Sequence, residues 1–427
     1  MGRKITSLIM VLCITLVLAG CNGSKETDEV AYILAIGIDK SSDGMLKVTY
    51  QYAISSALAK EASGGSEDKF GTVTFIAPSI AESLNLMGTF TSRIPNLSHV
   101  KILLIGEEAA KSGVVDVLAS FTRYREFRGS VAIVTVKDGT AAEVLTNLKS
   151  VVELLPSKFV ENMMLKAPDI GYTPPSLIQH FSSRLKGKSG APYTALVAMN
   201  PVTGRNVPTG EKVAGEKAEE YTAGNIPTKG KSVPISFAGT ALYCDDKLVG
   251  TLTTEETRMM MILTGELGRV FMTVSDPQVP DKPVNVFIRL REKPAITPSR
   301  EDGVYKFDVS VQLEGDITSL PSGVHYEDPG IKVQLDDRIS DVIAQSMRKM
   351  FRKTQDLGSD VVGFGFYARY LYATYPQWQE AAERWNDDYR KADIRLTVKT
   401  TLRRSGLIWQ TTPVYKTPPQ GQGGAGQ

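Results

Sequence analysis

The side chain with the plainest chemistry is the thiol of Cys21. It closes the tetrad Leu18-Ala19-Gly20-Cys21, behind Arg3, Lys4 and an apolar run from Ile5 to Val17. That run is shorter than the ~20 apolar residues needed to cross a bilayer as a helix, and its basic start and small-residue end are those of a cleavable signal. Ala19 and Gly20 let the backbone lie in a peptidase groove, which leaves Cys21 as the first mature residue with a diacylglyceryl group on its sulfur. Each buried methylene contributes about 0.8 kcal/mol, so two acyl chains hold a protein on a membrane stably where one would not. Cys21 is therefore the predicted lipidation site.

The other reactive side chains form no recognised device. His99, His180 and His325 lie far apart in sequence, and neither His-Glu-x-x-His nor paired Cys-x-x-Cys supplies metal-ligand spacing. A Gly-x-Ser-x-Gly elbow and a phosphate loop are both missing from the sequence. Gly363-Phe364-Gly365 lacks the third glycine of a dinucleotide fingerprint and a clear preceding strand, which points to tight backbone beside aromatic packing. The pairs Asp245-Asp246, Asp336-Asp337 and Asp387-Asp388 fall at predicted turns or helix ends, where Asp accepts from free backbone amides. Trp378 and Trp385 share helical spacing with Ala381 and Ala382, a pattern of core packing. Cys244, in an apolar strand, reads as a small buried hydrophobe. No catalytic residue, cofactor or metal is expected, and the chain is not read as an enzyme.

The sequence carries 49 basic and 47 acidic residues. Loss of Arg3 and Lys4 with the leader makes the two equal, so net charge gives no case for nucleic-acid binding. Asn22-Gly23-Ser24-Lys25-Glu26 is mixed rather than polybasic and reads as a flexible tether. Cys13 leaves with the signal and Cys21 is acylated, so Cys244 has no disulfide partner and stability must come from packed cores.

Those cores need elements to build them. Val30 to Ile38 and Leu46 to Ala53 read as strands joined by the turn Ser41-Ser42-Asp43-Gly44, followed by a polar loop over Ala59 to Gly71. Ile80, Leu84, Met87 and Phe90 share one helix face behind Ser79. Strand and helix then alternate through Val100–Ile105, Gly113–Phe121, Val131–Val136 and Thr140–Leu148, the pattern of a mixed α/β domain. Ser182 to Pro234 is rich in Gly, Lys, Thr and Pro, with few apolar positions outside Ala195 to Met199, and is predicted to be in part irregular or an edge of a small sheet. A hairpin follows, Ile235–Tyr243 and Lys247–Thr251 about Asp245-Asp246. Next comes a helix from Thr253, where Glu256 completes a capping box. Strands are predicted over Val284–Leu290 and Tyr305–Leu313. Ile339, Val342, Ile343, Met347, Met350 and Phe351 mark one long amphipathic helix. A second helix after Pro376 is predicted to carry Trp378, Ala381, Ala382, Trp385 and Tyr389 on one stripe, and Ile394 to Leu402 alternates as a closing strand.

A 42% hydrophobic content over this length exceeds what one core serves. The division is a signal peptide at 1–20, a tether at 21–29, an N-terminal α/β domain at 30–195, a middle domain with hairpin and helix at 196–275, a C-terminal α/β domain at 276–410 and a disordered tail at 411–427. The expected fold class is α+β: three mixed domains, each a largely antiparallel or mixed sheet with helices packed on it, in an elongated arrangement.

Several segments in order behind the lipobox resemble the GerC-type family, the lipoprotein C subunit of nutrient germinant receptors of endospore-forming bacteria. They are Ala35-Ile36-Gly37-Ile38-Asp39, the run Ser98 to Glu107, and Phe121-Thr122-Arg123-Tyr124-Arg125-Glu126-Phe127-Arg128. Further on they are Gly239-Thr240-Ala241 through Gly250, Glu255-Glu256-Thr257-Arg258, Asp360 to Gly365, Pro376, Trp378 and Trp385. The resemblance covers nearly the whole mature chain. It implies a non-enzymatic receptor subunit, lipid-anchored on the outer face of the cell membrane and found in the spore inner membrane. Its implied partners are two integral-membrane subunits, one permease-like, and it is needed for assembly and signalling; a direct small-molecule ligand is not implied. The alternatives are a lipid-anchored solute-binding protein of a transporter, which would show two doubly wound lobes, and a lipoprotein hydrolase, which the missing nucleophile and metal patterns disfavour.

Overall fold

A computed structural model of the chain describes residues 29–54, 70–148, 155–200, 221–228 and 234–404, with isolated positions at the N-terminus. The signal segment, Cys21, most of the loop expected at 59–71 and the tail lie outside the described residues.

Among the described residues the first sheet has nine strands. Its centre is β1 (Val30–Lys40), buried along nearly its whole length as the continuous apolar run requires. On one side β2 (Leu46–Ala53) and β3 (Phe70–Ala77) extend it as an antiparallel meander. Helix α1 (Ile80–Thr91) follows with Ser79 as its N-cap, and β4 (Ile94–Asn96) pairs in parallel with the start of β1. On the other side β5 (Ile102–Ile105) is parallel to β1. Helices α2 (Glu107–Ser112) and α3 (Val115–Arg123) lead to β6 (Ala132–Val136), parallel to β5. Then come α4 (Ala141–Asn147), α5 (Pro156–Ile170), α6 (Ile178–Gly187) and β7 (Tyr193–Met199). The sheet continues antiparallel through β8 (Ile235–Cys244) and β9 (Lys247–Leu252).

Strand periodicity divides this sheet between two cores. Ile36, Ile38, Leu103, Ile105, Ile133, Leu196 and Ala198 face the layer holding Met87 of α1, Leu118 and Phe121 of α3 and Phe181 of α6. Their neighbours Ala35, Ile102, Leu104, Val134, Ala195 and Val197 face Val144 and Leu145 of α4 and Val160 and Met164 of α5. Residues 193–199, which hold the apolar run Ala195 to Met199, are therefore an interior strand buried on both faces; most of the remaining stretch to Pro234 lies outside the described residues. Two neighbouring strands satisfy the β7 backbone.

Thr253 caps α7 (Thr254–Thr264) through the expected box with Glu256. Most of α7 is buried, Glu256 and Arg258 included, because it is enclosed between the two sheets. Thr257 hydrogen-bonds Thr240 of β8 at 2.8 Å, and Lys353 reaches Glu256 from the opposite side at 2.7 Å.

The second sheet orders β10 (Val270–Ser275), β11 (Pro283–Leu290), β13 (Val304–Ser319) and β12 (Ala295–Glu301), with β14 (Asp393–Arg404) parallel on the far edge of β13. The strands β11 and β12 share one edge of β13 and are separated at Arg291 to Pro294, where proline offers no amide to the ladder. Tyr305, Phe307, Val309, Val311 and Leu313 of β13 belong to the same core as Leu335, Ile339, Ile343, Met347 and Phe351 of α8 (Pro329–Leu357). This helix begins ten positions before Ile339. Asp336 and Asp337 thus sit inside it rather than at its end, and Asp336 accepts from the Leu402 amide at 3.0 Å while Ser340 accepts from Thr400 at 2.9 Å. Helix side chains so cover open amides of β14.

Gly239 fixes the route of β8. Its φ is +94°, its amide donates to Tyr172 O at 2.7 Å, and an added Cβ would meet the Leu252 carbonyl oxygen. Gly239→Ala should lower stability by at least about 2 kcal/mol, combining backbone strain with a clash against fixed backbone. Urea titration checks this, and an unchanged midpoint would refute it.

Candidate functional site

Residues 359–365 join the second sheet's long helix to the first sheet. After α8 ends on Gly358 in the left-handed conformation, Ser359 Oγ donates to Tyr243 O at 2.7 Å and Asp360 O accepts from the Ala191 amide at 2.7 Å. The Asp360 side chain turns inward and is fully buried. Its Oδ1 accepts from the amides of Gly363 at 2.8 Å and Phe364 at 2.9 Å; its Oδ2 accepts from Gly365 at 2.9 Å and from Trp385 Nε1 at 2.9 Å. Four donors occupy both oxygens, the arrangement an ionised carboxylate requires when removed from water. Burial nonetheless pushes its pKa above the ordinary aspartate value, against the lowering effect of those donors.

The glycines beside it follow from close approach. Gly363 has φ +87°, and a Cβ on Gly365 would lie 2.8 Å from Ser189 O. The loop Ser189-Gly190-Ala191, which leads into β7, therefore packs directly on the start of α9 (Phe364–Ala368). Trp378 Nε1 donates to Ser189 Oγ at 3.3 Å. Arg184 of α6 donates to Val361 O at 2.8 Å and Ala191 O at 3.2 Å, and its guanidinium stacks 4.7 Å from the Tyr193 ring. Tyr193 in turn donates to the Glu266 carboxylate at 3.1 Å. Burial raises the Glu266 pKa, and Arg184 and Tyr193 oppose that shift.

An aromatic layer closes the cluster. Trp385 meets Tyr305 at 5.3 Å and Trp378 at 5.7 Å, both edge-on, while Phe364 lies 4.8 Å from Phe307. Both tryptophans are core residues as expected, at 1% and 2% exposure, but they do not share one helix. Trp378 lies on α10 (Tyr375–Ala382) and Trp385 opens α11 (Trp385–Lys391). The chain turns between them through Arg384, whose carbonyl accepts from Asp387 and Asp388, and this brings the Trp385 indole to Asp360.

The remaining candidates stay apart. His99 packs edge-on against Tyr32 at 5.1 Å, His180 neighbours Gln179, and His325 lies 3.8 Å from Glu327. Among the described residues no cluster of His, Cys, Asp and Glu is arranged to hold a metal. Asp245, with φ +52°, forms the β8–β9 turn as expected, and Asp387-Asp388 lies in the first turn of α11. Cys244 is half-buried rather than buried; its sulfur accepts from Asn386 Nδ2 at 3.4 Å, and burial raises its thiol pKa. Cys21 lies outside the described residues. Sequence reasoning missed Asp360 as a buried acceptor, although an aspartate three residues before Gly363-Phe364-Gly365 is the spacing of a side chain that caps following amides.

Comparison with known proteins gives a consistent result. The family model described as spore germination protein N-terminal domain matches residues 23–199, and that described as spore germination B3/GerAC like, C-terminal matches residues 238–406. Spore germination protein KC of Bacillus subtilis (strain 168) is 23% identical over 417 residues, covering 95% of this chain and 97% of its own. Spore germination protein B3 of the same organism is 23% identical over 399 residues, covering 92% and 96%. The crystal structure of the GerBC protein aligns with a TM-score of 0.50 at 18% identity, covering 86% of this chain and 96% of that one.

Asp360→Asn replaces one accepting oxygen by an amide nitrogen that faces donors. A loss of about 2–4 kcal/mol is expected, together with a red shift of tryptophan emission as Trp385 loses its partner. Urea unfolding followed by fluorescence checks both; an unperturbed midpoint would show that the carboxylate is dispensable.

Proposed function

Because the chain belongs to the GerAC-like family of spore germination proteins, we propose that it is a lipid-anchored, non-enzymatic subunit of a nutrient germinant receptor, required for the receptor's assembly and signalling. The observation that carries this proposal is the match of two consecutive family models along the chain, behind a lipobox that ends on Cys21. From Cys21 to Val30 the chain reaches at most about 30 Å, so diacylglyceryl on Cys21 would keep the first sheet close to the outer face of the spore inner membrane. The partners in this proposal are two integral-membrane subunits, one of them permease-like.

The buried carboxylates support a non-enzymatic role. Asp360 is spent on four donors, Glu256 on its capping box and Lys353, and Asp39 on the amides of Ala141 and Ala142 at 2.7 and 3.0 Å. Each holds backbone in place. A subunit of this kind acts by making different contacts in the resting and triggered receptor, since only differential contacts shift an equilibrium.

Cys21→Ala is expected to leave a folded chain that carries no lipid and is released from membranes, as read by mass spectrometry and fractionation. Membrane retention equal to the parent without any lipid on the chain would refute the anchor. Crosslinking from scattered surface positions in spores is expected to capture integral-membrane subunits of the same receptor; capture of a transport ATPase in their place would overturn the receptor assignment.

A further inference from the structure

A cavity of about 660 Å³ opens between α3 and α6 on one side and the β8–β9 turn and the α10–α11 corner on the other. That volume falls within the roughly 300–1,000 Å³ of small-molecule sites, which concentrate where folding units meet. Part of its wall is apolar, formed by Val115, Leu118, Leu185, Ala382 and Trp385. Val115 keeps 49% exposure and leaves apolar surface uncovered by the fold, while Leu118, Ala382 and Trp385 are buried.

The charges around the cavity do not cancel in the same way. Its acidic groups are engaged: Asp246 Oδ2 accepts from the Val115 amide at 3.1 Å, Asp245 Oδ1 accepts from Asn386 at 3.3 Å, and Glu383 pairs with Lys188 at 2.6 Å. Arg184 is engaged as well, through the carbonyls of Ala191 and Val361. Arg123 and Lys186, both exposed and both lining the cavity, show no partner among the described residues. The uncommitted charge is positive. Ser182 also lines the cavity, but its hydroxyl oxygen is withdrawn from solvent and has no hydrogen-bond partner among the described residues.

We propose that this cavity binds a small amphipathic carboxylate. Its apolar body lies against Val115 and Leu185, and its carboxylate is held by Arg123 and Lys186. A partly apolar wall with two uncommitted cations suits one negative charge on a hydrophobic frame better than a compact, strongly hydrated anion. The cavity is lined by parts packed on both sheets, so occupancy would tighten the junction around Asp360. The proposal goes beyond the assembly role and departs from the expectation that no small molecule binds this chain directly; it depends neither on the anchor nor on membrane partners.

The test titrates full-length protein in detergent with phenylacetate while recording tryptophan emission and the thermal midpoint. A saturable emission change and a rising midpoint are expected. Neutral phenylacetamide should bind at least about tenfold more weakly. The Arg123→Ala/Lys186→Ala variant, with its fold verified by circular dichroism, should bind phenylacetate no better than the parent binds the amide. Equal response to acid and amide, undiminished binding by the double variant, displacement by equimolar inorganic phosphate, or no saturable change up to about 10 mM phenylacetate would each overturn the proposal.

Discussion

The placement of one carboxylate out of water governs how the two sheets are joined. Asp360 is fully buried, and an unpaired charge there would cost several kcal/mol. The fold answers with three consecutive amides and one indole. To supply those amides the chain must turn sharply at Gly363 and start a short helix, and to supply the indole α11 must begin at Trp385. The Asp360 carbonyl is tied to Ala191 at the entrance of β7, so the same residue fixes a loop of the first sheet. Turn, helix start, indole and loop stand or fall together.

The same device recurs at smaller scale. Asp39, at the end of the central strand β1, accepts from the first amides of α4 and so sets where that helix meets the sheet. Asp276 accepts from the amides of Gln278 and Val279 and from the Tyr326 hydroxyl, closing the loop after β10. In each case the acidic group answers open backbone donors at a helix start or turn, which is where such donors are left over. Acidic residues that in isolation suggest acid–base chemistry are used here to let loops enter the interior.

Between the sheets, α7 shows what enclosure demands of a short helix. Its methionines adapt to both neighbouring surfaces, and its polar residues find partners on opposite sides, Thr257 on β8 and Glu256 with Lys353 of α8. The two family segments matched by comparison divide before this region: the first ends at the close of β7, and the second begins in β8 and includes α7. Such enclosure ties the two sheets together, in keeping with the receptor-subunit role proposed for the chain.

Much of the architecture is legible in local patterns. The apolar runs at Val30–Ile38, Val100–Ile105 and Val131–Val136 are strands, Ser79, Thr140 and Thr253 cap helices, and the stripe from Ile339 to Phe351 lies on one long helix. These features rest on residues within a few positions of one another, and backbone geometry alone sets their spacing. The lipidation proposed at Cys21 likewise rests on four adjacent residues. Tertiary structure decided what depends on distant partners: that residues 193–199 form an interior strand, that the tryptophan segment breaks into two helices, and that Asp360 is a buried acceptor. Desolvation of a carboxylate is felt only once remote segments exclude water from it, and no spacing within the chain records which segments those are.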